Sequence, residues 1–123
     1  TYFYYVDHVP PAFHLYMPDN PDLQLPGGRR SGGAYHSGDL ALVFGTTDKV
    51  GLEWTEGDRQ VSRHMGRYWT NFAKTGDPNG EGVPAWPPFD LSRMATQVLG
   101  PAPVSQPGID STRLDLMGSI WPM

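Results

Sequence analysis

The chain has 123 residues, no cysteine and a formal net charge of -4. Its length suits about one domain of roughly 100–200 residues. The acidic balance argues against a nucleic-acid partner, the lack of cysteine excludes disulfides, thiolate metal sites and a thiol nucleophile, and no apolar run approaches the ~20 residues of a membrane span.

Thr1–Val6 is aromatic and β-branched and carries no charge, which predicts a strand. Apolar character on both faces suggests cover on both sides, as in a parallel sheet flanked by helices. Pro10 and Pro11 end it, because proline cannot donate to a ladder. Residues 12–33 lack periodicity and are rich in proline and glycine, which predicts a long irregular excursion. Asp39–Phe44 then reads as a short helical segment closed by Gly45, with Ser37 or Asp39 near its start.

The strongest helix runs from Thr55 to Lys74. Thr55 and Asp58 form a capping-box pattern, with Asp in place of Glu or Gln. Val61, Met65, Tyr68, Trp69 and Phe72 share one stripe at helical spacing. Gly76 suits the C-terminal cap, and Asp77-Pro78-Asn79-Gly80 is a turn signal. Trp86-Pro87-Pro88-Phe89 reads as an aromatic loop packed on the domain. A short strand follows over Ala95–Leu99, then a second Pro-rich loop, then a helical turn starting near Arg113. One strong helix and one strong strand cannot cover each other, so further strands are expected from outside this sequence. Glycine (15) and proline (13) sit between patterned segments and 38% of the chain is hydrophobic, which favours a loop-rich globular protein over a disordered one.

Four histidines offer groups that titrate near neutrality. His64 sits on the shoulder of the helix stripe and reads as structural. His8 sits at a strand end and reads as a loop residue. His14 lies in the excursion with no carboxylate near it in sequence. His36 differs: glycines flank it in Gly33-Ala34-Tyr35-His36-Ser37-Gly38-Asp39, where the backbone can approach other groups closely. From the residues alone, a catalytic and a structural His36 both stand open. A metal site built on His36, Asp39 and His14 competes, without a paired-histidine motif to support it. No serine occupies a G-x-S-x-G elbow, and no phosphate-binding glycine motif is present.

Several segments resemble, in order, the type B carboxylesterases, the group that includes the cholinesterases and bacterial para-nitrobenzyl esterases. Tyr2–Pro11 (YFYYVDHVPP) is similar to a late strand of that family. Gly33–Gly45 resembles its G-A-x-H-x-x-[ED]-x-x-x-V-F-G segment. Arg67–Asn79 resembles R-Y-W-T-N-F-A-R-T-G-D-P-N, and Trp86-Pro87 followed by Asp90 is similar to W-P-x-[YF]-D with one residue added. Ser37-Gly38 stands where Gly-Ser is common, which puts the local loop geometry in question.

The resemblance implies the C-terminal portion of an α/β-hydrolase fold, incomplete by itself, over residues 1–116, with 117–123 as a tail. It maps the catalytic histidine of a Ser-Glu/Asp-His triad onto His36 and, outside the triad, a carboxylate with a supporting hydrogen-bond role onto Asp39. The serine, the acid and the oxyanion-hole glycines are expected upstream of the matched region. It further implies a small-molecule ester substrate, the upstream remainder of the domain as structural partner, and no need of cofactor or metal. A non-catalytic cholinesterase-like binding or adhesion protein, and a free-standing small binding domain, are the alternatives. Compartment is left open.

Overall fold

The computed structural model of the chain describes residues 1–11, 30, 32–108 and 111–120. In chain order these form β1 (Tyr4–Val6), α1 (Leu40–Val43), a 3-10 turn (Thr47–Lys49), α2 (Glu56–Thr75), β2 (Ala95–Leu99), β3 (Val104–Pro107) and α3 (Ser111–Ile120). Among the described residues no helix is long and apolar enough to cross a membrane.

The three strands form one sheet in the order β1-β2-β3. β1 runs parallel to β2, with Tyr4 opposite Gln97 and Val6 opposite Leu99. A parallel neighbour requires a crossover, and α1 and α2 lie within it. β2 is central and buried along its whole length. β3 pairs antiparallel to it, from Ala95↔Pro107 to Val98↔Val104. This strand is absent from the sequence reading, which has a Pro-rich loop there. Pro107 lacks a donor, and it is tolerated because it ends a strand on the edge of the sheet.

α2 forms where the pattern places it. Thr55 Oγ1 accepts from the Asp58 backbone N–H at 3.2 Å, and the Asp58 carboxylate accepts from the Thr55 N–H at 2.6 Å. Together these complete the capping box. Gly76 ends the helix in the left-handed conformation, φ 76°. Val61, Met65 and Tyr68 are fully buried and meet Leu42, Trp86 and Leu99 in one core.

Cover on both faces of β1 is not what this chain provides. Tyr4 packs edge-on against Trp69 on the α2 side. On the other face Phe3 meets the ring of Phe89, and Phe3 and Tyr5 remain 51% and 41% exposed.

The Trp86 loop is packed down, as expected. Trp86 is buried and donates its Nε1–H to Phe3 O at 3.1 Å. Its backbone is held by the Asn79 side chain, which donates to Trp86 O at 2.9 Å and accepts from Trp86 N at 2.7 Å. Asn71 donates to Pro78 O and Asn79 O, which fixes the intervening turn. α3 extends from Ser111 to Ile120, longer than the single turn expected near Arg113.

Asn79→Ala removes both partners of the Trp86 backbone. It is expected to lower stability by about 1–3 kcal/mol, read as a fall in the urea midpoint. Gln60→Ala, on the exposed side of α2, should stay within about 0.5 kcal/mol.

Candidate active site

His36 sits on a tight turn between residue 32 and α1. Gly38 N–H donates to Tyr35 O at 3.0 Å, and Leu40 N–H donates to Ser37 O at 3.2 Å. Asp39 then caps α1 with its backbone, as Leu42 and Val43 N–H donate to Asp39 O. α1 is fixed in turn: Ala41 and Leu42 are buried, and Ser62 Oγ of α2 donates to Leu42 O at 2.7 Å. The long helix thereby sets the position of the histidine turn.

The Ser37-Gly38 order has a physical cost and a physical reason. Ser37 adopts φ 67°, a left-handed conformation that side chains disfavour. At Gly38 a Cβ would lie 3.0 Å from both Pro10 Cγ and Tyr35 O. The glycine therefore occupies the position that lacks space, and the serine takes the strained one.

His36 and Asp39 line one cleft of about 210 Å³ with Val6, His8, Pro10 and Tyr35. The cleft lies beyond the carboxyl end of β1, where open α/β sheets place their ligands. His36 is exposed there and Asp39 half-buried. Among the described residues neither side chain makes a hydrogen bond, so the structure brings the two together at one cleft without joining them.

His8 is more than a loop residue. Its Nε2 meets Asp58 Oδ1 at 2.5 Å. The Asp58 carboxylate is fully buried and also accepts from Arg30 Nη1 and Nη2 at 3.0 and 2.5 Å, and from Thr55 Oγ1 at 2.7 Å. Arg30 further donates to Val9 O and, at 3.4 Å, to Glu53 O. Burial pushes the Asp58 carboxyl up, but the Arg30, Thr55 and His8 donors outweigh it and hold it well below its ordinary value of 3.8. Sequence reasoning assigns Asp58 only a cap. The one hint is a short Asp at the third helical position, next to a stripe that must be buried.

His64 keeps its structural reading. It is half-buried on α2, and burial, with Arg63 and Arg67 beside it, lowers its pKa. His14 lies outside the described residues. Among the described residues no group of three or more His, Asp or Glu converges to hold a metal.

A parallel strand pair linked through helices, with a histidine turn at the strand's carboxyl end, is a piece of an α/β sheet, and its likeness to solved esterases makes it part of an α/β-hydrolase fold. A thermophilic PNB esterase superposes with TM-score 0.69 at 25% identity, over 93% of this chain and 21% of that one. Residues 1–110 match the Carboxylesterase family, and the chain belongs to that family. Carboxylesterase 5A of Felis catus is 46% identical over 63 residues, 51% of this chain and 10% of that protein. Acylcarnitine hydrolase of Rattus norvegicus is 33% identical over 89% of this chain and 17% of that protein. The chain thus spans less than a fifth of the length of these curated relatives.

Three outcomes are expected. Ser37→Gly should raise stability by about 1 kcal/mol by relieving the left-handed serine, whereas Gly38→Ala should lower the melting temperature. Asp58 has a depressed folded pKa, so its contribution is whole above about pH 5 and is lost as pH falls below 3.8 toward the depressed value. Melting temperature against pH should therefore fall less steeply on the acid side in Asp58→Asn.

Proposed function

We propose that this chain contributes the catalytic histidine, His36, to a serine carboxylic ester hydrolase whose substrate is a small-molecule ester. The observation that carries this reading is the position of His36: exposed, free of hydrogen bonds among the described residues, and in a cleft at the carboxyl end of a parallel strand. The esterase and hydrolase names of the matched relatives support the reaction class.

The nucleophilic serine and the third triad member, a Glu or Asp, come from outside these residues. The remainder of the α/β-hydrolase domain is then a structural partner. It would cover the exposed Phe3 and Tyr5 and pair the outer edge of β1, which among the described residues has no neighbour. Alone, the chain has no serine route to the ester, because none of its serines occupies a G-x-S-x-G elbow.

In the assembled site His36 accepts the serine proton as the oxygen attacks the ester carbonyl. It then donates that proton to the departing alcohol. A water molecule, deprotonated by the same imidazole, attacks the acyl-serine; the serine oxygen departs, taking the proton back from His36, and the carboxylic acid is released. Imidazole suits both directions because its pKa lies near the working pH. Backbone N–H groups contributed by the rest of the domain hold the oxyanion. Asp39, half-buried in the same cleft, is the supporting carboxylate, outside the triad. Neither metal nor cofactor has a step to perform.

In the complete hydrolase domain, His36→Ala should reduce turnover of a short-chain p-nitrophenyl ester by roughly 10⁴-fold or more. Unchanged turnover in a folded variant would sink the assignment.

A further inference from the structure

We infer that Asp58 is a positioning residue for His36: its buried carboxylate holds Arg30 and His8, and these fix the backbone on which the His36 turn rests. The inference rests on the catalytic role proposed for His36.

Helix capping alone does not explain this group. A capping box needs one acceptor for the Thr55 N–H, and a neutral side chain supplies that. The Asp58 carboxylate instead takes two contacts from Arg30 and one from His8. Three separate parts of the chain meet on it: the segment after β1, the approach to the histidine turn, and the first turn of α2. Burying a carboxylate and a guanidinium is a weak source of net stability. What the pair does supply is geometry, since a planar fork on a carboxylate fixes both partners in orientation.

The path from that fork to His36 is short and made of contacts. Arg30 donates to Val9 O, and its own carbonyl accepts from Gly33 N–H at 3.3 Å, at the entrance to the turn. Pro10 and Pro11, next in chain, are both buried. The Pro10 ring lies against Gly38, where no Cβ would fit without displacement. Pro11 O accepts from Tyr35 Oη at 3.3 Å. His36 is thus bracketed by Tyr35 and Gly38, both seated on the proline pair that Arg30 and Asp58 hold. Buried neighbours transmit such shifts because interiors are close-packed. A displacement of about 1 Å at a catalytic group can cost roughly 10²-fold in rate.

The test uses the complete hydrolase domain and expresses kcat per titrated active site, so that loss of folded protein lowers the titre and not the rate. Asp58→Asn and Arg30→Ala should each lower kcat roughly tenfold to a hundredfold, with KM for a p-nitrophenyl ester held within about twofold. Methylguanidinium added to Arg30→Ala should restore part of the lost kcat and should do nothing for His36→Ala. Should Asp58→Asn not fold, Arg30→Lys decides, since it keeps a cation against Asp58 but loses the fork to Val9 O. A fall in its kcat at constant KM supports the clamp. Wild-type kcat per site in the folded Arg30 variants overturns it, provided His36→Ala is inactive. If His36→Ala is active instead, the catalytic reading itself has failed, and the clamp falls with it.

Discussion

The ion pair between Asp58 and Arg30 is where the helix and the cleft become one object. Asp58 belongs to the first turn of α2, whose buried stripe rests on the sheet. Arg30 and His8 belong to the segments that border the cleft. Without this contact the strand end and the histidine turn would each be fastened to the core separately. With it, packing of the apolar stripe also dictates where a polar cleft forms. The arrangement costs desolvation of a carboxylate, which its donors offset.

The run from Arg67 to Asn79 has structural work in this fold. Tyr68 fills the core and donates its hydroxyl to Pro84 O. Asn71 secures the turn, Gly76 permits the chain reversal, and Asn79 substitutes for a strand neighbour along Trp86. Trp86 in turn braces β1 through Phe3 O. In this chain the segment therefore docks an aromatic loop. The histidine turn, much shorter, faces the cleft at the carboxyl end of β1.

Elements governed by local rules could be read from the residues. α2 announces itself by its cap, its 3.6-residue period and its terminal glycine, and the Ala95–Leu99 strand by its β-branched core. The short helix after Asp39 also falls where expected. Relations between distant segments were not readable. Nothing near His8 signals that it meets Asp58, because that contact depends on how the crossover brings β1 back to the head of α2. β3 was hidden by its terminal Pro107 and by Pro101 and Pro103 just before it, and only the edge position makes a proline-ended strand acceptable. His36 was legible through its glycine neighbours and family pattern. The strained conformation of Ser37 was not, because it follows from the crowding of Pro10 against position 38.

The parallel register has a consequence in time. Tyr4 lies beside Gln97, with most of the chain between them. The loop closed by this pairing contains the histidine turn, α1 and α2. Closing so long a loop is entropically costly and slow. During synthesis, the edge of β1 that pairs with β2 therefore stays open until β2 emerges, and an unpaired strand edge is prone to wrong association. The helix can form early from local signals alone, but the cleft cannot exist until the later strand arrives. In a protein of this design the site is among the last features to mature, and a delay between β1 and β2 is the interval in which a chaperone would matter most.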